Sequence, residues 1–208
     1  MADTVARPAL PQQMRGVQLT RYGGPEVLVW REDLPVPQPR AGEVLIRVGA
    51  AGVNNTDINT RTGWYSKAVA SDSAAGAEGG FAGAKDDGWS GAPFTFPRIQ
   101  GADAAGLIVA LGKGVDPERL GQRVLVEPVF RDADGSTRYF GSECDGAFAE
   151  YAVVPAVNAH AIDSGLSDAD LASFPCAYSA ALNMLCRAGQ AAGERVLVTG
   201  ASGGVGSA

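Results

Sequence analysis

The chain has 208 residues, 46% of them apolar and 19% charged, with a formal charge of −6. That length and balance suit one globular core with a piece of a second. The acidic excess argues against sequence-independent nucleic-acid binding, which needs surplus Lys and Arg, and no apolar run approaches the roughly 20 residues that span a bilayer.

Residues 1–13 (MADTVARPALPQQ) lack an apolar h-region. They read as a disordered leader, not a signal peptide. Cys144, Cys176 and Cys186 are the only cysteines. An odd count without CxxC spacing makes a disulfide framework unexpected and points to a reducing compartment, by default the cytoplasm.

From Met14 the chain reads as short extended pieces. GVQLTRYG is one strand, and GGPEVLVWRED is a turn followed by a second. Pro35, Pro37 and Pro39 interrupt regular structure. In AGEVLIRVGAAGVN, Val44, Ile46 and Val48 alternate with Leu45 and Arg47, while Gly49 and Gly52 loosen the strand's end. A short helical turn follows, with Thr56 or Asp57 as its cap. Ser66–Pro93 is rich in Ala, Gly, Ser and Asp and has no usable period. It reads as a long mobile loop, either a plain insertion or a working lid. DAAGLIVALG, QRVLVEPVF and GAFAEYAVV then resume the strands, separated by glycine turns. The pattern predicts a barrel-like β domain over residues 14–165.

Near residues 161–167 the pattern changes. Ser167 is a good N-cap, with Asp168 and Asp170 in the first turn. Pro175 interrupts the helical pattern, and Ala181, Leu182 and Leu185 recur at helical spacing after it. Gly189 and Gly193 are candidate stops. Arg195–Thr199 then reads as an apolar strand entering the glycine turn Gly200–Gly206. Such a turn lets backbone approach a pyrophosphate, with a following helix aimed at the charge. It also serves as a plain β–α connection.

TGASGGVG fits the TGxxxGxG pattern of short-chain dehydrogenases, but that family's turn follows its first strand, and here a whole β domain precedes it. The order resembles the medium-chain dehydrogenase/reductases instead. The segments that carry the resemblance are YGGPEVLVWREDLPVPQPRAGEVLIRVGAAGVNNTDINTRTGWY, FPRIQGADAAGLIVALGKGV, GAFAEYAVVP and GERVLVTGASGGVG, in the family's order. The last looks like the quinone-oxidoreductase branch. The resemblance implies a mostly β GroES-like catalytic domain followed by the start of an α/β Rossmann domain, comprising helix, first strand and glycine turn, at residues 166–208. The rest of that domain, with the residue that selects NAD or NADP, does not follow within the chain.

Zinc relatives place a Cys where this chain has Asn54 and a His within Gly101-Ala102-Asp103, leaving only Cys176 at a ligand position. Zinc needs three or four converging donors. The resemblance therefore implies a zinc-free reductase that uses NADPH to deliver hydride to a quinone, enone or related carbonyl. A freed non-enzymatic binding module and a zinc alcohol dehydrogenase are the competing readings. Asn54 and Asp57 match the branch's GVN..D motif near the nicotinamide, and Tyr65 matches an aromatic near the substrate. Asn54, Ser179, Ala180, Ser202, Gly203, Gly204 and Val205 are the implied cofactor contacts, although Ala180 lacks the hydroxyl usual there. The same residue types also suit turns and packing. The lone His160 reads as a surface residue, and Cys176 and Cys186 read as small packing residues. The expected partners are a small-molecule substrate and, for a full-length parent, a second copy. This stretch alone is expected to bind cofactor weakly or not at all.

Overall fold

In chain order the strands are Gln13–Leu19 (β1), Leu28–Pro35 (β2), Glu43–Gly52 (β3), Arg98–Ile99 (β4), Asp103–Leu111 (β5), Arg123–Val126 (β6), Val129–Arg131 (β7), Thr137–Tyr139 (β8), Tyr151–Pro155 (β9) and Ala159–Ala161 (β10). The helices are Asn55–Thr62 (α1), Asp168–Leu171 (α2), Pro175–Ala188 (α3) and Gly204–Ser207 (α4). This is a computed structural model, and it describes residues 10–81, 83–85, 88–91 and 94–208.

Every strand pair in the sheets is antiparallel. One sheet runs β2-β1-β4, a second β10-β6-β5-β3-β9, and β7-β8 is a separate hairpin. The first two are stitched where Val17 N donates to Phe148 O at 2.8 Å, beside a Gly16–Ala149 bridge. β3, between β5 and β9, is covered on both faces. Val44 and Ile46 face Ile108, Val124, Phe130 and Phe140, while Leu45 faces Met14, Leu34 and Ile99. Leu45 is therefore core, not the outward partner that strict alternation predicts. The expected single strand QRVLVEPVF is divided between β6 and β7 at Glu127-Pro128, where proline has no N–H for a ladder.

Three expectations change. The leader was drawn through residue 13, yet Gln13 pairs with Pro35 in β1 and Leu10 packs beside Met14; residues 1–9 lie outside the described residues. The 66–93 segment, read as a mobile loop, is tied down where described. Phe81 N donates to Thr62 O (2.9 Å), Tyr22 donates to Lys85 O (3.1 Å), and Arg61 donates to Ala77 O (3.3 Å). The tethers join backbone groups of the segment to residues distant in the chain, which no local period encodes. Residues 82, 86–87 and 92–93 of this segment lie outside the described residues. Finally, residues 195–198 form no strand among the described residues. A strand exists only with a partner for its N–H and C=O groups, and Leu197 is 89% exposed.

The residue-167 signals hold. Ser167 caps α2 through Asp170 N, and Asp170 returns a bond to Ser167 N. Pro175 is in the first turn of α3, and Gly189 closes the helix at φ 68°. α2 packs on the β domain: Leu171 and Ala172 cluster with Ala105. A Cβ at Gly49 would stand 1.9 Å from Asp168 Oδ2, so this glycine admits the helix rather than merely loosening β3. Arg123 clamps the segment by donating to Asp168, Ser164 O and Leu166 O. Most of α3 beyond Ala177 is exposed, including Leu182, Met184, Leu185 and Cys186, so Cys186 does not pack as expected.

Candidate functional site

Asn54 precedes α1 at the end of β3. Its backbone N donates to Asp57 Oδ2 at 2.8 Å, half of a capping box. The other oxygen, Asp57 Oδ1, accepts from Gly101 N at 3.2 Å, and Asp57 O accepts from Gln100 Nε2 at 2.8 Å. Asp57 is thus buried and engaged on every side with the β4–β5 corner. The geometry gives it a positioning task.

Asn54 Nδ2 turns the other way and donates to Asp103 Oδ2 at 2.9 Å. Asp103 Oδ1 accepts from Cys176 N at 2.7 Å. One buried carboxylate therefore joins the α1 loop, the start of β5 and the first turn of α3. Burial raises the Asp103 carboxyl, opposed by the bonds from Asn54 and Cys176. Cys176 Sγ lies 3.2 Å from the Tyr139 hydroxyl. Burial holds both protons on: the thiol is raised, and the phenol is raised well beyond its ordinary value. Tyr65 is half-buried, with its hydroxyl 3.0 Å from Thr56 Oγ1 and its proton also held by burial.

Asn54, Asp57, Tyr65 and Cys176 therefore converge. Ser179 and Ala180 lie one turn further along α3, where Ser179 Oγ donates to Cys176 O at 3.3 Å. Ser202, Gly203, Gly204 and Val205 form the glycine turn into α4 and are exposed. The turn lies against α3, since a Cβ at Gly204 would sit 3.6 Å from Ala177 Cβ. Gly203 N donates to Gly200 O at 2.9 Å, and a Cβ at Gly203 would meet nothing nearer than 3.4 Å. The turn is closed within itself and open above, which fits close approach by a phosphate. His160 is on the surface with Nε2 3.5 Å from Glu127. A cavity of about 490 Å³ lies elsewhere, lined by Met14, Leu34, Arg98, Arg138 and Cys144, and includes none of the network above.

Two aromatic residues escaped the sequence reading. Tyr139 ends β8, and Trp89 stacks on it with ring centroids 4.7 Å apart. The Asp134-Gly135 turn between β7 and β8 was the available hairpin signal for Tyr139. Nothing local marks Trp89.

The donor set offers zinc little: Asn54 brings an amide, both Asp103 oxygens already hold protein partners, and Cys176 is the one thiol beside them. Among the described residues, no three His, Cys, Asp or Glu side chains gather at metal-binding distance. No helix there is long and apolar enough to cross a membrane.

Burial raises Asp57 to about 6 from its ordinary 3.8, against pull-down by the backbone bonds from Asn54 and Gly101. The native state then holds a proton that the unfolded chain has released between those two values. Asp57's contribution to stability falls as pH rises across that window, by about 3 kcal/mol in all, and is flat above it. Urea unfolding of wild type and Asp57→Asn from pH ~4 to ~7.5 checks this. Their stability difference should drift against wild type as pH rises, whereas a pH-independent difference would refute the assignment.

Comparison with known proteins gives concordant matches. The profile of the alcohol dehydrogenase GroES-like domain matches residues 40–164. A quinone oxidoreductase of Rattus norvegicus is 32% identical over 196 residues, 94% of this chain and 48% of the relative. A 2-methylene-furan-3-one reductase of Solanum lycopersicum is 29% identical over 206 residues, 99% of this chain and 45% of the relative. A crystal structure from Sinorhizobium meliloti 1021, provisionally named an alcohol dehydrogenase, superposes with a TM-score of 0.80 at 46% identity, covering 95% of this chain and 53% of that one. The chain spans about half the length of the curated relatives it matches.

Proposed function

The chain belongs to the alcohol dehydrogenase GroES-like domain family, within the medium-chain dehydrogenase/reductases, and from that premise we propose that it carries the substrate side of a zinc-free NADPH-dependent reductase of quinones, enones or related carbonyls. The Asn54–Asp103–Cys176 network carries this reading. It joins the α1 loop to α3, and α3 leads on to the glycine turn, so one continuous support holds the substrate side and the cofactor side. The names of the relatives, quinone oxidoreductase and furanone reductase, support the acceptor class.

When bound, the nicotinamide supplies a hydride to the acceptor. The chain's own residues hold donor and acceptor together and meet the charge that develops on the acceptor oxygen. Gly203 and Gly204 would border the cofactor's pyrophosphate, with Ser202 and Val205 beside them. Ser179 and Ala180 would border its nicotinamide half. Asn54, fixed by Asp57 and Asp103, would border the nicotinamide. Tyr65, whose hydroxyl donates to Thr56 Oγ1 in this structure, would turn its O–H to the acceptor's carbonyl. A single proton, taken from solvent, balances the hydride and completes reduction of the acceptor. Pairing with a second copy is part of the proposal for the complete protein.

The test is NADPH consumption by the complete gene product with a quinone and with an enone, alongside its metal content. Turnover by protein with substoichiometric zinc, insensitive to chelators, is expected. Activity that a chelator abolishes and zinc restores would make the protein a zinc dehydrogenase. No turnover, together with a stable complex with a partner protein, would favour a binding module. The 208-residue chain alone is expected to show little or no NADPH binding by calorimetry; tight binding would refute that.

A further inference from the structure

The insertion between α1 and β4 delivers one residue to the network. Trp89 lies on Tyr139 at a centroid distance of 4.7 Å and an interplanar angle of 25°. The Tyr139 hydroxyl lies 3.2 Å from Cys176 Sγ, and Cys176 N is held by Asp103. One aromatic ring therefore separates the indole from the residues that join α1 to α3.

The stack is fixed from below. Glu143 bridges its two sides: Oε2 accepts from Tyr139 N at 2.8 Å, and Oε1 accepts from Ser90 N at 2.8 Å. Ser142 Oγ accepts from Trp89 N at 3.1 Å. These bonds pin the backbone on either side of the ring pair, so the rings are ordered before any ligand arrives. Tyr139 is 6% exposed and Trp89 is 42% exposed. Tyr139 stacks on one face of the indole, which remains partly exposed.

We propose that Trp89, backed by Tyr139 and clamped by Glu143 and Ser142, is a fixed aromatic wall that selects planar conjugated acceptors over saturated ones of the same skeleton. The inference rests on the reading above only in placing the acceptor beside the network. A flat π-face against the indole gains stacking that a puckered ring cannot match. Glu143 is a positioning residue here, and Trp89 is the specificity determinant.

Binding to the 208-residue chain tests this without turnover. The probes are tetramethyl-1,4-benzoquinone, whose fully substituted ring does not arylate the exposed Cys186, and 2,3,5,6-tetramethylcyclohexane-1,4-dione, its puckered counterpart. Calorimetry of wild type should show a preference for the quinone of roughly fivefold to tenfold. Trp89→Ala should bring the preference close to unity, and Trp89→Phe should retain most of it. Trp89 is partly exposed, so both variants should fold, and circular dichroism checks that they do. A preference that survives in Trp89→Ala would overturn the proposal, as would wild type binding both probes equally or neither. Selective binding lost in Trp89→Ala, in a gene product that turns over neither quinone nor enone, would sink the reductase reading and keep the wall. Turnover with a Trp89-independent preference would do the reverse.

Discussion

Asp103→Ala should lower stability by about 3 kcal/mol and uncouple α1 from α3. Asp103 is 1% exposed and accepts from Asn54 Nδ2 and from Cys176 N. Alanine leaves both part-buried donors without their acceptor, at ~1–3 kcal/mol each. It also relieves the burial of a carboxylate, which offsets part of that loss. For a chain of this length the net change corresponds to a fall in melting temperature of roughly 6–12 °C. Asp103→Asn should cost less, because one acceptor remains while its amide N–H₂ faces a donor. A double-mutant cycle with Asn54→Ala should return a coupling of about 1–2 kcal/mol. A loss under about 1 kcal/mol for Asp103→Ala in urea unfolding would mean that the carboxylate does not hold the two elements together. In the complete gene product the same change should lower turnover, since the α1 loop and α3 would no longer share a support.

Gly146→Ala should be at least as damaging, although no side chain is removed. A Cβ there would stand 2.4 Å from Gly101 O, 2.6 Å from Gly141 Cα and 2.7 Å from Gln100 O. All three are backbone atoms, so no rotamer change relieves the contact. Overpacking against mobile side chains costs ~1–3 kcal/mol; against a hydrogen-bonded corner the cost should reach or exceed the top of that range. Gly146 N donates to Ile99 O, Ala147 N to Gly101 O and Phe148 N to Gln100 O, so the whole corner must shift. That corner is also where Gly101 N and Gln100 Nε2 hold Asp57. The expected result is insoluble protein or a much lower unfolding midpoint. Gly165→Ala is the internal control: its added Cβ meets nothing within 4 Å, so its effect should stay within about 0.5 kcal/mol. Equal behaviour of the two variants would show that the corner yields more readily than its bonding indicates.

Much of this architecture is legible in local chemistry. Ser167 with Asp170, Pro175 and Gly189 mark helix ends because capping, a fixed φ and a left-handed turn are properties of single residues and their near neighbours. The β-rich first part is legible because apolar runs between glycine turns have few other uses. Asn54 and Asp57 were singled out as site residues that also suit turns. The structure gives Asp57 a turn's bonding, with both carboxylate oxygens on backbone N–H groups, and gives Asn54 a side-chain bond to Asp103.

What stayed illegible shares one physical cause. Whether Arg195–Val198 becomes a strand depends on a partner backbone, which a run of four residues does not specify. Whether the described residues of the 66–93 segment are free or fastened depends on Arg61, Tyr22 and Glu143, each outside the segment and reaching it through space. Nothing local marks Asp103 as a junction; its partners stand 49 and 73 residues away in the chain. Periodicity, caps and turn chemistry act over a few residues and specify this chain's family, its strands and its helix ends. The junction of α1, β5 and α3, and the Trp89–Tyr139 stack beside it, exist only once folding brings distant donors, acceptors and rings into contact.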